Sequence, residues 1–299
     1  MDMIVEWIFA VVSEYRRKLI PLIAALLFAT SILFSHIFSA TTNTEFDFLN
    51  VGQGDSELIQ MKSGERSPRV KILIDGGPEN GMVRAALSSL LSPTDAYIDL
   101  VAMTHAQADH MGGLIDIAKH YRIGAFLWTG RTNDISAFRE LMDILKKNNV
   151  MIFTLRKGDM IKNGGNIITV ISPDDALLSD KDLNNSSLVL RVAAASTTAL
   201  FMGDIGRSAE LALARNGVGP VDIAKVPHHG SRASLVVGFL NAIRPRIAVF
   251  EVGKNSYGHP AEEVLSKYAE LGALLFRTDK QGTIRLIADE GRKIQAIKK

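Results

Sequence analysis

Residues 104–113 read Thr-His-Ala-Gln-Ala-Asp-His-Met-Gly-Gly, and a second histidine-rich stretch, residues 227–231, reads Pro-His-His-Gly-Ser. His105, Asp109 and His110 put two imidazoles and a carboxylate on one short turn. Of seven histidines in the chain, these two stretches hold His105, His110, His228 and His229, so the imidazoles are concentrated rather than scattered. Imidazole with carboxylate suits Zn²⁺, Mn²⁺ or Fe better than Ca²⁺, which prefers an all-oxygen shell. The first hypothesis is therefore a metal-dependent hydrolytic centre. The short apolar run at 99–103 reads as a strand that delivers the cluster at its tip, and Gly112-Gly113 reads as the opening of a helix running to about residue 120.

Working outward, strand-like runs appear at 45–51, 57–61 and 70–74, with Gly-containing turns between them. A helical pattern covers 82–91, a strand 125–128, and an amphipathic helix 135–148. Strands follow at 151–155, 166–171, 188–194 and 198–202, then a helix at 207–215 and a strand at 221–226 ending at the histidine pair. Helices at 235–243 and 261–271 alternate with strands at 246–252 and 274–277. Strands at 283–287 and 294–297 close the chain. No repeat or Pro-rich linker divides residues 45–299, so they read as one domain. Two mixed β/α halves with short connections predict an α+β fold, sheet packed on sheet with helices outside, a four-layer αββα sandwich.

With 299 residues, 47% of them apolar, the chain can bury a full core. The net charge of +2 excludes a global electrostatic pull toward nucleic acid, so a phosphate-rich substrate must be held by local groups and metal. The lack of cysteine excludes disulfides, thiolate zinc sites and cysteine nucleophiles. Residues 19–38 carry no Asp, Glu, Lys or Arg, and as a helix would span ~30 Å, the hydrocarbon core of a bilayer. Arg16-Arg17-Lys18 precede this run and no cation follows it through residue 47. The positive-inside rule then predicts one N-terminal transmembrane helix that engages the membrane through residues 19–40, a cytoplasmic N-terminus within residues 1–44, and an extracytoplasmic domain over 45–299. A cleaved signal peptide is the rival, but Phe38-Ser39-Ala40 makes a poor cleavage site; a buried core helix fits the basic flank least. Residues 1–15 read as an interfacial helix.

The acidic and imidazole residues fall at strand ends. Asp75 follows the apolar run 72–74 as LIDGG, Asp204 follows 200–202 as MGD, and His228-His229 follow Lys225-Val226-Pro227. This succession resembles the metallo-β-lactamase superfamily, whose fold is the same αββα sandwich. Seven ordered motifs sharpen the likeness: NVGQGDS at 50–56, LIDGG, THAQADHMGG, NNSSLVLR at 184–191, MGDIG, KVPHHGS at 225–231 and NSYGHP at 255–260. As a set, spanning about residues 45–290, they resemble the ComEC-type hydrolase domain of DNA uptake and its free-standing, membrane-anchored relatives.

The resemblance implies metal ligands at His105, Asp109, His110, Asp204 and one of His228 and His229; the residues leave open which of the pair binds metal and which orients substrate. Asp75 is implied as a supporting acceptor that fixes a ligand histidine. Many superfamily members carry a histidine where this chain has Gln107, and another in the region occupied by Asn184-Asn185-Ser186. Gln107 and Asn185 are thus expected among the supporting polar groups, and one well-formed site for Zn²⁺ or Mn²⁺, with Mg²⁺ also admissible, is expected rather than two. His259 reads equally as a substrate contact or as turn packing, and His36 and His120 carry no signal.

The expected activity is hydrolysis of phosphodiesters, DNA among them, by metal-activated water outside the cytoplasm. Asp109 or Asp204 would hold the water, Lys225, Lys254 or His259 would neutralise charge on phosphate, and Asp55 would face the site. Hydrolysis of another ester or amide such as a lactone, a non-catalytic DNA-binding module and a DNA-uptake accessory remain as alternatives. A metal-dependent activity screen with His110→Ala and Asp204→Ala controls separates enzyme from module.

Overall fold

The computed structural model describes residues 19–23, 25, 28, 30, 43–62, 64 and 67–297. The chain divides into two compact units, residues 1–41 and 42–299. In the first, residues 19–23, 25, 28 and 30 are helical. The rest of the expected anchor and the expected interfacial segment lie outside the described residues. Among the described residues no helix is long and apolar enough to cross a membrane.

Among the described residues the second unit contains fifteen strands: β1 (Thr44–Phe48), β2 (Glu57–Lys62), β3 (Arg69–Ile74), β4 (Tyr97–Ala102), β5 (Arg122–Trp128), β6 (Met151–Thr154), β7 (Met160–Asn163), β8 (Asn166–Ser172), β9 (Val189–Ala194), β10 (Thr197–Phe201), β11 (Ile223–Lys225), β12 (Ile247–Phe250), β13 (Leu274–Arg277), β14 (Ile284–Ala288) and β15 (Ile294–Ile297). They form an eight-stranded sheet in the order β15-β14-β1-β2-β3-β4-β5-β6 and a seven-stranded sheet in the order β13-β12-β11-β10-β9-β8-β7. Its helices are α1 (Met82–Leu90), α2 (Ala108–His120), α3 (Ser136–Lys147), α4 (Asp175–Leu178), α5 (Arg207–Asn216), α6 (Val237–Ile243), α7 (Glu262–Glu270) and α8 (Thr278–Gln281).

Side-chain alternation along the strands builds the layers. Phe46 and Phe48 of β1, Ile59 and Met61 of β2, and Ile72 and Ile74 of β3 face inward and meet Leu190, Ala199, Phe201, Ile223 and Val249 of the other sheet. Phe201 stacks on Phe46 and Phe48 at ring centroids of 6.3 and 5.9 Å, bridging the sheets. The alternate residues face outward. Leu58, Leu73 and Val101 pack against Leu87 of α1, Leu114 of α2 and Leu141 of α3. Leu200, Ala224 and Phe250 pack against Leu213 of α5, Phe239 of α6 and Tyr268 of α7. Where helices cover the outer face, each sheet is thus buried on both sides, which is why β5, β10 and β12 carry continuous apolar runs. At roughly 1.5–3 kcal/mol for each large apolar side chain buried, this double burial dominates the stability of the sandwich. The predicted four layers are present.

Two local differences have clear causes. The β7 strand had no counterpart in the sequence reading because its sequence, Met-Ile-Lys-Asn, carries no apolar run; the two-residue Gly164-Gly165 turn pairs it with β8, matching Asn163 to Asn166. The second difference concerns α2, which starts at Ala108 rather than at the glycine pair, so Asp109 and His110 lie in its first turn and not on a loop. Gly112 and Gly113 are there for close packing. A Cβ on Gly113 would lie 2.0 Å from the Gly76 carbonyl oxygen, and one on Gly112 would lie 2.6 Å from the Glu79 nitrogen. The Gly76 N–H donates to the His110 carbonyl at 2.6 Å and the Gly113 N–H to the Gly77 carbonyl at 2.9 Å, locking the helix start onto the loop after β3.

Candidate metal centre

β3 and β4 run parallel, as do β10, β11 and β12, so their C-terminal ends bring Asp75, His105, Asp204, His228-His229 and Glu251 to the same end of the two sheets. The first turn of α2 adds Asp109 and His110. Asp109, His110, Asp204 and His229 converge so that one donor atom from each lies within 4.8 Å of the others. Asp204 Oδ2 lies 3.2 Å from His110 Nε2 and 3.4 Å from His229 Nε2, and Asp109 Oδ2 lies 3.4 Å from His229 Nε2.

Each imidazole is aimed by its other nitrogen. His110 Nδ1 sits 2.8 Å from Asp75 Oδ2. Asp75 is in turn held by the Thr104 N–H at 2.7 Å and the Thr104 hydroxyl at 2.6 Å, both of which donate to it. His229 Nδ1 sits 2.8 Å from the Glu251 carbonyl oxygen. An Nδ1 proton donated to an oxygen leaves Nε2 as the donor atom for a metal, the usual second-partner arrangement of metal-binding histidines. Among the described residues, the Nε2 atoms of His110 and His229 are buried and have no hydrogen-bond partner, and they face Asp204 Oδ2 and Asp109 Oδ2. Buried polar atoms left unmatched are costly, and here they surround one point, as a divalent cation requires. The residues fit such an ion.

The electrostatics agree. Burial disfavours charge on both rings, yet Asp204 and Asp55 outweigh it, raising His110 well above the imidazole range and His229 to about 10. Burial likewise opposes ionisation of Asp204, but His110, His229 and Lys225 hold it well below the carboxylate range. Asp109 is lowered too, burial being outweighed by His229 and His110. This negative field is the charge a bound cation would meet.

The histidine pair separates because both residues adopt left-handed backbone, His228 at φ 50° and His229 at φ 53°. That conformation is rare for a side chain with a Cβ and sends adjacent side chains in different directions. His229 turns inward. His228 lines the cavity, its Nε2 3.9 Å from Asp204 Oδ2, and burial lowers its pKa. His105 is buried in contact with the His110 ring, centroids 4.2 Å apart, but does not join the four converging groups. Burial and the His110 charge push it down to about 3, and its Nδ1 lies 3.0 Å from the Thr104 hydroxyl.

The other expected residues are placed as follows. Asp55 does not line the cavity; it is buried behind the two ligand-like rings, 3.2 Å from His229 Nδ1 and 3.5 Å from His110 Nδ1. Lys225, expected to reach substrate, is fully buried instead: it pairs with Asp55, donates to the Gly203 carbonyl at 2.8 Å and lies 3.5 Å from Asp204 Oδ1. Strand alternation explains this, since Lys225 shares the inward face of β11 with Ile223. Lys254 is exposed and outside the cavity wall. Gln107 lines the cavity and donates to Asn184, tying α2 to the loop before β9. Asn185 accepts from the Gly206 N–H at 3.2 Å and so braces the loop after Asp204. His259 lines the cavity, with burial and the neighbouring His228 and His229 lowering its pKa.

Two buried acids were missed in the sequence. Glu251 accepts from the Ser56 N–H at 3.2 Å, and Glu57 lies beside it. Burial and Asp55 raise Glu57 to about 8; burial and Glu57 raise Glu251 well above the carboxylate range. The signal for Glu251 was available, an acid directly after the apolar run of β12, as Asp75 follows β3. The centre opens into a cavity of about 520 Å³ whose wall includes Gln53, Glu79, Asp109, His228, Tyr257 and His259.

This arrangement can be compared with known proteins. The family described as the Beta-lactamase superfamily domain matches residues 70–243, more than half of the chain. The chain belongs to this family. It is thereby a metallo-β-lactamase-fold hydrolase by class, with the architecture in which that fold binds divalent metal. It is 26% identical over 260 residues to ComE operon protein 3 of Bacillus subtilis (strain 168), covering 81% of this chain and 32% of that protein. It is 26% identical over 253 residues to Competence protein ComA of Neisseria gonorrhoeae, covering 83% of this chain and 33% of that one. The chain thus spans about a third of the length of these relatives. Among solved structures, CmlA, a diiron β-hydroxylase from Streptomyces venezuelae, superposes with a TM-score of 0.53 at 14% identity, over 85% of this chain and 54% of that one. The metallo-β-lactamase fold protein YhfI from Bacillus subtilis superposes with a TM-score of 0.50 at 11% identity, over 78% and 95%. These two show the fold alone.

Proposed function

We propose that this chain is a metal-dependent phosphodiesterase that cleaves nucleic acid, with Asp109, His110, Asp204 and His229 holding one divalent ion. The observation that carries the reading is the convergence of buried, unpartnered Nε2 atoms with two carboxylates at the floor of an open cavity. The choice of substrate is supported by the relatives' names, a competence protein and a Recombination protein 2, both of which point to DNA.

A divalent ion held there, of the Zn²⁺ or Mn²⁺ kind, supplies Lewis acidity toward an anionic phosphate oxygen and acidifies water. The chain's own groups do the rest. Asp109 is the more exposed of the two carboxylates and faces the cavity, where it can orient the attacking water and take its proton. His228 and His259 line the same wall, and their lowered pKa keeps them neutral near pH 7, each with one N–H to donate to a phosphate oxygen. Asp204 divides its work, with Oδ2 facing both ligand-like rings and Oδ1 facing Lys225. The ammonium of Lys225 stands 3.5 Å from Oδ1, and its positive charge there would disfavour a second cation, which supports a single well-formed site. In the same reading, residues 19–40 anchor the chain and the domain works on the extracytoplasmic side.

The test is turnover of a DNA strand and of bis(p-nitrophenyl) phosphate by full-length protein with Mn²⁺ or Zn²⁺. His110→Ala and Asp204→Ala are expected to lose about 100-fold or more, beyond the 10–100-fold usual for removing a supporting partner of a ligand. Turnover of lactones or other esters without any phosphodiester cleavage would replace this reading with a different hydrolase.

A further inference from the structure

The wall of the cavity carries one large aromatic with no structural task. Tyr257 is 74% exposed, although it sits beside a deep polar centre. A single exposed aromatic is ordinary on a protein surface. This one is held unusually firmly for its exposure. The Asn255 side chain spends its whole hydrogen-bonding capacity on the loop that carries it: Nδ2 donates to the carbonyls of Gly253 and His259, each at 2.9 Å, and Oδ1 accepts from the N–H groups of Tyr257 and His259, each at 3.1 Å. The base of the loop is pressed onto the 52–53 turn, where a Cβ on Gly253 would lie 2.3 Å from the Gly52 carbonyl carbon. The Tyr257 ring lies 5.8 Å from the His259 ring, which in turn lies 5.6 Å from His228.

On the far side of this loop is a second cavity of about 270 Å³, lined by Ser231, Arg232, Tyr257, Gly258, His259 and Ala261. Tyr257 and His259 therefore belong to both cavities and join them. Arg232 is largely exposed, and among the described residues it makes only a loose pair to Glu263 at 3.8 Å, which leaves its guanidinium able to take an anion. The metal centre, an aromatic platform and an arginine thus follow one another along the surface.

We propose that the 255–260 loop and Arg232 form a nucleotide subsite flanking the scissile phosphate. The Tyr257 ring stacks the adjacent base and Arg232 takes the next phosphate, so the site selects an unpaired strand, whose bases are free to leave their own stack. The proposal rests on the phosphodiesterase reading above and adds its substrate form.

The experiment compares kcat/KM of full-length protein with Mn²⁺ on a labelled oligodeoxynucleotide, on the same strand built from abasic tetrahydrofuran sites, and on the duplex. The expected preference for the base-bearing strand over the abasic strand is about tenfold, within the range measured for one base–aromatic stack. Tyr257→Ala is expected to erase that preference while Tyr257→Phe keeps it. Arg232→Ala should weaken both strands alike and lower the salt slope by about one. Because Tyr257 is exposed, its loss leaves no core cavity to confuse the comparison. Equal cleavage of both strands by the unaltered protein, equal cleavage of strand and duplex, or a preference that survives Tyr257→Ala overturns the subsite and leaves the phosphodiesterase reading standing. No cleavage of any of the three overturns that reading and the subsite with it.

Discussion

Lys225 and Asp55 show how single residues set the character of the centre. Both are fully buried, and their ion pair sits directly behind the His110 and His229 rings. Removing one member of a buried pair leaves the other charge unmatched, which costs about 3–5 kcal/mol. Lys225→Met is expected to lose stability on that scale in chemical denaturation, and Asp55→Asn in the same chain to restore part of it, as a coupled pair should. A loss below about 1 kcal/mol would show that the pair does not carry this charge balance. The same residues mark what the sequence could reveal. Asp75 and Asp204 stood out because each follows an apolar run, and Asp109 and His110 because they share one short turn with His105. The role of Lys225 was hidden by reading it with the loop that follows, although its alternation with Ile223 already pointed it between the sheets. The choice between His228 and His229 was not legible at all, because it depends on two successive left-handed backbones that no residue type announces.

Strands and helices were legible where their burial is uniform, and lost where packing overrides local preference. The outer-face and inner-face alternation of β1 to β3 and β9 to β12 is written directly in their apolar runs. α2 was started late because two glycines ordinarily weaken a helix by about 1 kcal/mol each, whereas here their missing Cβ atoms let the helix start touch the Gly76 loop. Across the other sheet, α5 is tied to α6 by one acid, Glu210, which accepts the Val236 N–H at 2.7 Å. Burial raises its carboxyl to about 8, against an ordinary value of 4.5. The folded state therefore binds this proton more tightly than the unfolded chain does. Its contribution to stability is complete below about pH 4.5 and is lost as pH rises toward about 8. Glu210→Gln keeps the acceptor and removes the titration. Its melting temperature should match the parent near pH 5 and exceed it by a few degrees near pH 9, measured by thermal denaturation across that range. Parallel pH profiles would contradict the assignment.

At the scale of the molecule, the two sheets act as a clamp. Their parallel strands end on one side, and each contributes half of the converging groups, so neither sheet alone holds a centre. If residues 19–40 anchor this domain outside the cytoplasm, as proposed, a C-terminal tag should be digested by protease added to intact cells or spheroplasts, and protection of the tag would reverse the orientation. The central claim concerns the ion itself. Titrating metal-free, full-length protein with Mn²⁺ and counting free ion by electron paramagnetic resonance reads it directly. One Mn²⁺ bound per chain, with binding lost in both Asp204→Ala and His229→Ala, is the predicted result. Two tightly held ions, or binding undiminished in the His229→Ala protein, would contradict it.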